Sequence, residues 1–108
     1  MVLDGELVIW DPRLDRTNFG LLQQRITAGR RLTRLAGDLP ASLVVFEHLQ
    51  DNLGAELLTG PLHERGALLA AFLADVPPML TLCPQTTSRD EAAEWMTTWT
   101  AAGIEGVL

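Results

Sequence analysis

Apolar residues flank a short polar centre at the start of the chain, where Leu3, Leu7, Val8, Ile9 and Trp10 surround Asp4, Gly5 and Glu6. The run is rich in strand-forming types. Strand alternation puts Asp4 and Glu6 on one face and Leu3, Leu7 and Ile9 on the other. Asp11-Pro12 stops this strand and opens a polar turn through about Asn18. Phe19, Leu22 and Ile26 then recur near helical spacing, which predicts a helix over 19–28 with Thr17 or Asn18 as its cap and Gly29 at its end. A shorter helix over 30–36 turns Leu32 and Leu35 inward and Arg30, Arg31 and Arg34 outward. Gly37-Asp38-Leu39-Pro40 follows as a turn.

The firmest strand signal covers 41–49, with Val44, Phe46 and His48 on one face and Leu43, Val45 and Glu47 on the other. Pro61 opens a helix to about Asp75, capped by Thr59 or Gly60, with Leu62, Leu69, Phe72, Leu73 and Val76 as its apolar stripe. Val76-Pro77-Pro78 ends it. A short strand over 79–83 is closed by Pro84. Ser88-Arg89-Asp90-Glu91 has the form of a capping box, in which Ser88 caps the helix and Glu91 reaches back. Ala92, Trp95, Met96 and Trp99 give that helix a packing stripe, and Gly103 terminates it. Ile104-Glu105-Gly106-Val107-Leu108 reads as the start of another strand. Alternating strands and helices on their own suggest a parallel α/β sheet.

Composition narrows the functional classes. The 108 residues are 47% apolar, which suits a buried core, and no apolar run approaches the ~20 residues that span a bilayer. Met1-Val2-Leu3-Asp4 lacks the basic start of a signal peptide. A single cysteine, Cys83, excludes an internal disulfide and fits a buried small hydrophobe in a reducing, cytoplasmic setting. The formal charge of −6 argues for weak or no nucleic-acid binding by this chain alone. All eight basic residues are arginines, six of them in the first third, so the chain contains no lysine. The cluster at Arg30, Arg31 and Arg34 reads as a solvated helix face or as a phosphate contact.

The candidate chemistry begins with Asp4 and Glu6. Two carboxylates on one strand face can hold a divalent cation or bond a sugar hydroxyl, and can equally be an ordinary solvated face. Phe46 on its strand is core or a flat stacking surface. His48 and His63 are far apart in sequence and on different elements, and both read as structural or exposed.

Three pieces in order, Leu3-Asp4-Gly5-Glu6-Leu7-Val8, Leu43-Val44-Val45-Phe46-Glu47 and Gly103-Ile104-Glu105-Gly106-Val107-Leu108, resemble the middle motifs of the ATP-dependent DNA ligases of the nucleotidyltransferase superfamily. Phe19-Gly20-Leu21-Leu22-Gln23-Gln24-Arg25 and Gly60-Pro61-Leu62-His63-Glu64-Arg65 also look like bacterial members. The resemblance spans 1–108 and implies an α+β fold: part of an adenylation domain with a mixed, largely antiparallel sheet and packed helices. It assigns Glu6 to the nucleotide ribose or a metal, Phe46 to adenine stacking and Glu105 to metal binding. It implies ATP and Mg²⁺ as cofactors, nicked duplex DNA as the partner of the parent family, and nick sealing in DNA repair and recombination.

The sequence also departs from that family. Glu47 stands where aspartate is usual, and His48 where an apolar residue is usual. The family's nucleophile is a lysine in a K-x-D-G motif ahead of the D-G-E strand, and this chain has none. The expectation is therefore the central slice of an adenylation domain, without the nucleophile segment or the oligonucleotide-binding domain and inactive by itself. The alternative is a non-catalytic relic that binds a nucleotide or a partner.

Overall fold

The computed structural model describes residues 1–107, which fold as two compact units. The first joins Met1–Leu7 to Ser42–Pro84, and the second joins Val8–Ala41 to the residues from Gln85 onward. Both mix helix with strand, and the chain is α+β with a mixed sheet and four α-helices among the described residues.

A three-stranded sheet in the order β1-β4-β5 forms the frame of the first unit. It contains β1 (Val2–Val8), β4 (Ser42–Gln50) and β5 (Leu80–Leu82). β4 and β5 run parallel, with Leu43, Val44 and Val45 opposite Leu80, Thr81 and Leu82. A parallel pair needs a crossover, here the helix α3 (Leu62–Leu73), which packs on β4 and β5. Val45 and Leu69 are the fully buried side chains where α3 meets the sheet. The stripe expected on α3 is only partly realised: Leu69 is buried and Phe72 and Leu73 are half-buried, but Leu62 is 62% exposed. Leu62 is the first helical residue, ahead of the turns that cover the sheet. Pro61, rather than Thr59 or Gly60, is the N-cap, in extended conformation and without a side-chain bond.

The expected alternation on β1 holds from Leu3 to Glu6, with Leu3 and Gly5 half-buried and Asp4 and Glu6 exposed. It fails at Leu7, which is 54% exposed, because α3 covers β4 and β5 and leaves this edge strand open.

The second unit opens with a hairpin where the sequence predicts a polar turn from Asp11-Pro12 to about Asn18. β2 (Trp10–Asp11) pairs antiparallel with β3 (Arg16–Thr17). Asp11 is buried and closes the hairpin by accepting from the Arg13 amide at 3.0 Å and the Asn18 amide side chain at 3.1 Å. Asn18 also caps α1 (Phe19–Ile26) through Gly20 N–H. Of the inward positions expected on α1, Leu22 is half-buried but the other two are not. Leu21 is buried while Phe19 and Ile26 are 68% and 74% exposed. The inner side runs instead through Leu21 and Arg25, four residues apart, with Ala28 buried just past the helix end, and Arg25 is held there by donating to the Leu39 carbonyl.

Gly29 takes a left-handed φ of +56° and starts a 3₁₀ turn over Gly29–Arg31. That turn leads directly into α2 (Leu32–Asp38), so Gly37 and Asp38 are helical rather than a turn. Leu35 is half-buried, but Leu32, expected inward, is 45% exposed because it occupies the first position of the helix.

Ser88 caps α4 (Arg89–Thr98) as expected, accepting from Glu91 N–H at 3.2 Å. The return half of the box is relayed. Ser88 N–H donates to the Thr86 hydroxyl, which donates to Glu91 Oε2 at 2.9 Å. Trp95 and Trp99 stack with centroids 4.8 Å apart, and like Phe72 both stay half-buried.

The strand expected over 104–108 is not formed in its described part. A 3₁₀ turn over Thr100–Ala102 and Gly103 at φ +107° fold the chain back, and Ile104 N–H is spent on the Trp99 carbonyl. Ile104–Val107 are therefore irregular, and Leu108 lies outside the described residues.

Candidate functional site

Glu6 and Phe46 stand on neighbouring strands of the first unit's sheet. Gly5 sets how closely those strands approach. A Cβ added there would sit 2.6 Å from the Val44 carbonyl oxygen and 3.1 Å from Val45 Cα. Only glycine fits that contact, so the glycine of the D-G-E motif is a packing requirement between β1 and β4.

Val45 is fully buried and the next residue, Phe46, is 39% exposed, as alternation across a strand requires. Glu47 turns back toward α3. Arg65 Nε donates to Glu47 Oε1 at 2.9 Å and Nη2 to Oε2 at 3.1 Å, while Nη1 donates to the Gly60 carbonyl. This bidentate pair holds the Glu47 carboxyl below its ordinary range, against the opposing effect of burial, with a further contribution from His48 N–H. The extra methylene of Glu47 therefore serves as an anchor to α3. Alternation does not extend to His48, which is also buried and lies 6.5 Å from the Phe72 ring on α3. Both of its ring nitrogens are buried without hydrogen-bond partners. His63, by contrast, is exposed.

Cys83 completes the face. The β4–β5 register continues past Leu82, with Cys83 N–H donating to the Val45 carbonyl at 2.8 Å, so Cys83 lies opposite Phe46. Paired residues of a parallel ladder share a face. Burial raises the thiol pKa and the negative charge of Glu6 raises it further. Glu6 on β1 and Cys83 just beyond β5 thus lie on the strands either side of β4. The sequence predicts Cys83 only as a buried small hydrophobe; it is half-buried, and the pairing of β5 with β4 places it opposite Phe46.

Glu105, the third expected site residue, is exposed in the irregular segment of the second unit. Among the described residues no three of His, Cys, Asp and Glu gather as a metal cluster. Glu6 has no ion-pair partner among them either, and Asp4 lies two residues away on the same exposed side. That donor set fits Mg²⁺, which takes one or two carboxylates and completes its shell with water and substrate phosphates.

The order and spacing of these pieces define a class of protein. Residues 1–108 match the family described as ATP dependent DNA ligase domain. The chain belongs to that family. It is 38% identical over 109 residues to DNA ligase C2 of Mycolicibacterium smegmatis and 38% identical over 114 residues to DNA ligase C of Mycobacterium tuberculosis. Each match covers 99% of this chain and 30% of the relative, so the chain spans under a third of the length of the curated relatives it matches.

Proposed function

We propose that residues 1–108 supply the nucleotide platform of an ATP-dependent DNA ligase: part of an adenylation domain of the nucleotidyltransferase fold. In this reading adenine stacks on Phe46, while Glu6 bonds the ribose or shares a Mg²⁺ ion with the phosphates. By the family resemblance alone, Glu105 is proposed as a metal-binding carboxylate of the second unit. The observation that supports the reading is the position of Glu6 and Phe46 on adjacent strands, which approach closely at the Gly5 contact. A flat, partly dry aromatic suits a purine face. Magnesium would neutralise charge on the phosphates during adenylyl transfer.

The same reading limits what these residues do alone. Covalent nucleotidyl transfer in the family uses a lysine amine, and these 108 residues contain none. The platform therefore binds and orients ATP without forming a lysyl–AMP bond. Nicked duplex DNA is the partner of the whole ligase, and the cytoplasm is the proposed location. Among the described residues no helix is long and apolar enough to cross a membrane. The test is a titration of the chain with ATP and Mg²⁺, comparing wild type with Glu6→Ala and Phe46→Ala. Binding lost in both variants supports the platform; no binding by the wild type overturns it.

A further inference from the structure

The formal charge of −6 is not spread over the molecule. The first unit holds seven acidic residues and only Arg65, whereas the second holds seven acidic residues and seven arginines. Between Asp15 and Asp38 the second unit has five arginines, at positions 16, 25, 30, 31 and 34, and no acidic residue. The acidity that argued against nucleic-acid contact therefore belongs to the sheet unit.

Within that stretch the structure separates the arginines by role. Arg25 is half-buried and spent on the Leu39 carbonyl. Arg30, Arg31 and Arg34 are exposed, and Arg30 and Arg31 form no ion pair among the described residues. Among the described residues Arg34 pairs only with Asp38, at 3.7 Å, with both side chains well exposed. The 3₁₀ turn passes into α2 without a break, so the three residues fall within an arc of roughly 100° at helical pitch. Residues three and four apart on such a face stand about 5–6 Å from each other. That separation lets guanidinium groups reach successive phosphates of one strand, and their fork suits bidentate pairing with phosphate oxygens.

We propose that Arg30, Arg31 and Arg34 form a contact surface for the phosphodiester backbone of duplex DNA. The inference takes duplex DNA as the polyanion from the ligase reading and otherwise stands on the charge distribution. The contact is sequence-independent and weak, since three phosphate contacts operate against an acidic remainder.

The experiment is fluorescence anisotropy of a labelled DNA duplex with the whole chain, repeated over a series of NaCl concentrations. The wild type is compared with the double variant R30Q/R31Q and with R16Q/R89Q, which removes the same charge from two other exposed arginines of the second unit. Each phosphate contact contributes about −0.9 to the slope of log K against log salt. R30Q/R31Q is expected to reduce the magnitude of that slope by about 1.8 and to weaken low-salt binding at least tenfold. R16Q/R89Q should keep the wild-type slope. Equal losses in the two variants, or no salt-dependent binding by the wild type, would overturn the proposal. ATP binding, measured alongside and expected unchanged in R30Q/R31Q, reports on the nucleotide platform separately.

Discussion

Arg65 grips Glu47 with two parallel hydrogen bonds of 2.9 and 3.1 Å, joining α3 to β4 one residue past Phe46. The strand is thereby clamped beside the position proposed to stack on adenine. Because the pair lowers the Glu47 pKa, the sign of its pH dependence is set. Its stabilisation is present above the ordinary Glu value of 4.5 and is lost as pH falls through the lower folded-state value. Arg65→Ala should lower the melting temperature at pH 7 by on the order of 5 °C. The same substitution should flatten the acid limb of the stability profile below pH 4.5. Melting curves by circular dichroism from pH 3 to 7 check both, and an unchanged acid limb would remove Glu47 from the account.

Gly5→Ala tests the close approach of β1 to β4. The added methyl would meet backbone atoms, including the Val44 carbonyl oxygen at 2.6 Å, and backbone cannot swing aside as a side chain can. The expected cost is about 1–3 kcal/mol, typical of overpacking. Urea unfolding measures it, and a cost near zero would mean that β1 does not press on β4.

Cys83 reports on where Glu6 lies. Burial and the Glu6 charge both keep its thiol above the ordinary value of 9.0 and hence slow to alkylate. Glu6→Gln removes the second cause and leaves the first. Iodoacetamide modification at pH 8 should then speed up by a few-fold. An unchanged rate would place the Glu6 carboxylate away from the Phe46–Cys83 face.

The α+β class came from the family resemblance, since alternation alone suggests a parallel α/β sheet, whereas the strands β1 and β4 and the helices α1, α3 and α4 are legible in the local pattern. Period-two and period-3.6 patterns with recognisable caps specify such elements locally. The inward faces were less legible. Phe19, Ile26 and Leu32 are apolar yet exposed, while Arg25 turns inward, because a backbone carbonyl from Leu39 satisfies it. No local pattern encodes that partner. No sequence pattern marks the β2–β3 hairpin, because its strands have two residues each and it is closed by Asp11, a buried acid with three hydrogen-bond and ion-pair contacts. At the candidate site the residue types were readable from motif order. The Gly5 contact, the Arg65 clamp and the position of Cys83 opposite Phe46 depend on strand pairing, which a single sequence does not display.

The missing amine has a chemical consequence. Incubated with labelled ATP and Mg²⁺, the 108 residues should form no acid-stable protein–AMP adduct, since no lysine is available as nucleophile. Gel autoradiography after acid quenching reads this out. A labelled band would mean that another side chain accepts the adenylyl group.

Equilibrium dialysis of labelled ATP against the chain in Mg²⁺ tests the nucleotide platform most directly. The wild type should bind saturably, and Phe46→Ala should bind about 5- to 150-fold more weakly, as loss of about 1–3 kcal/mol of base stacking requires. Glu6→Ala should weaken binding as well, with both variants confirmed as folded by circular dichroism. Saturable binding that is unchanged in Phe46→Ala and Glu6→Ala, or no binding by the wild type, would contradict the account.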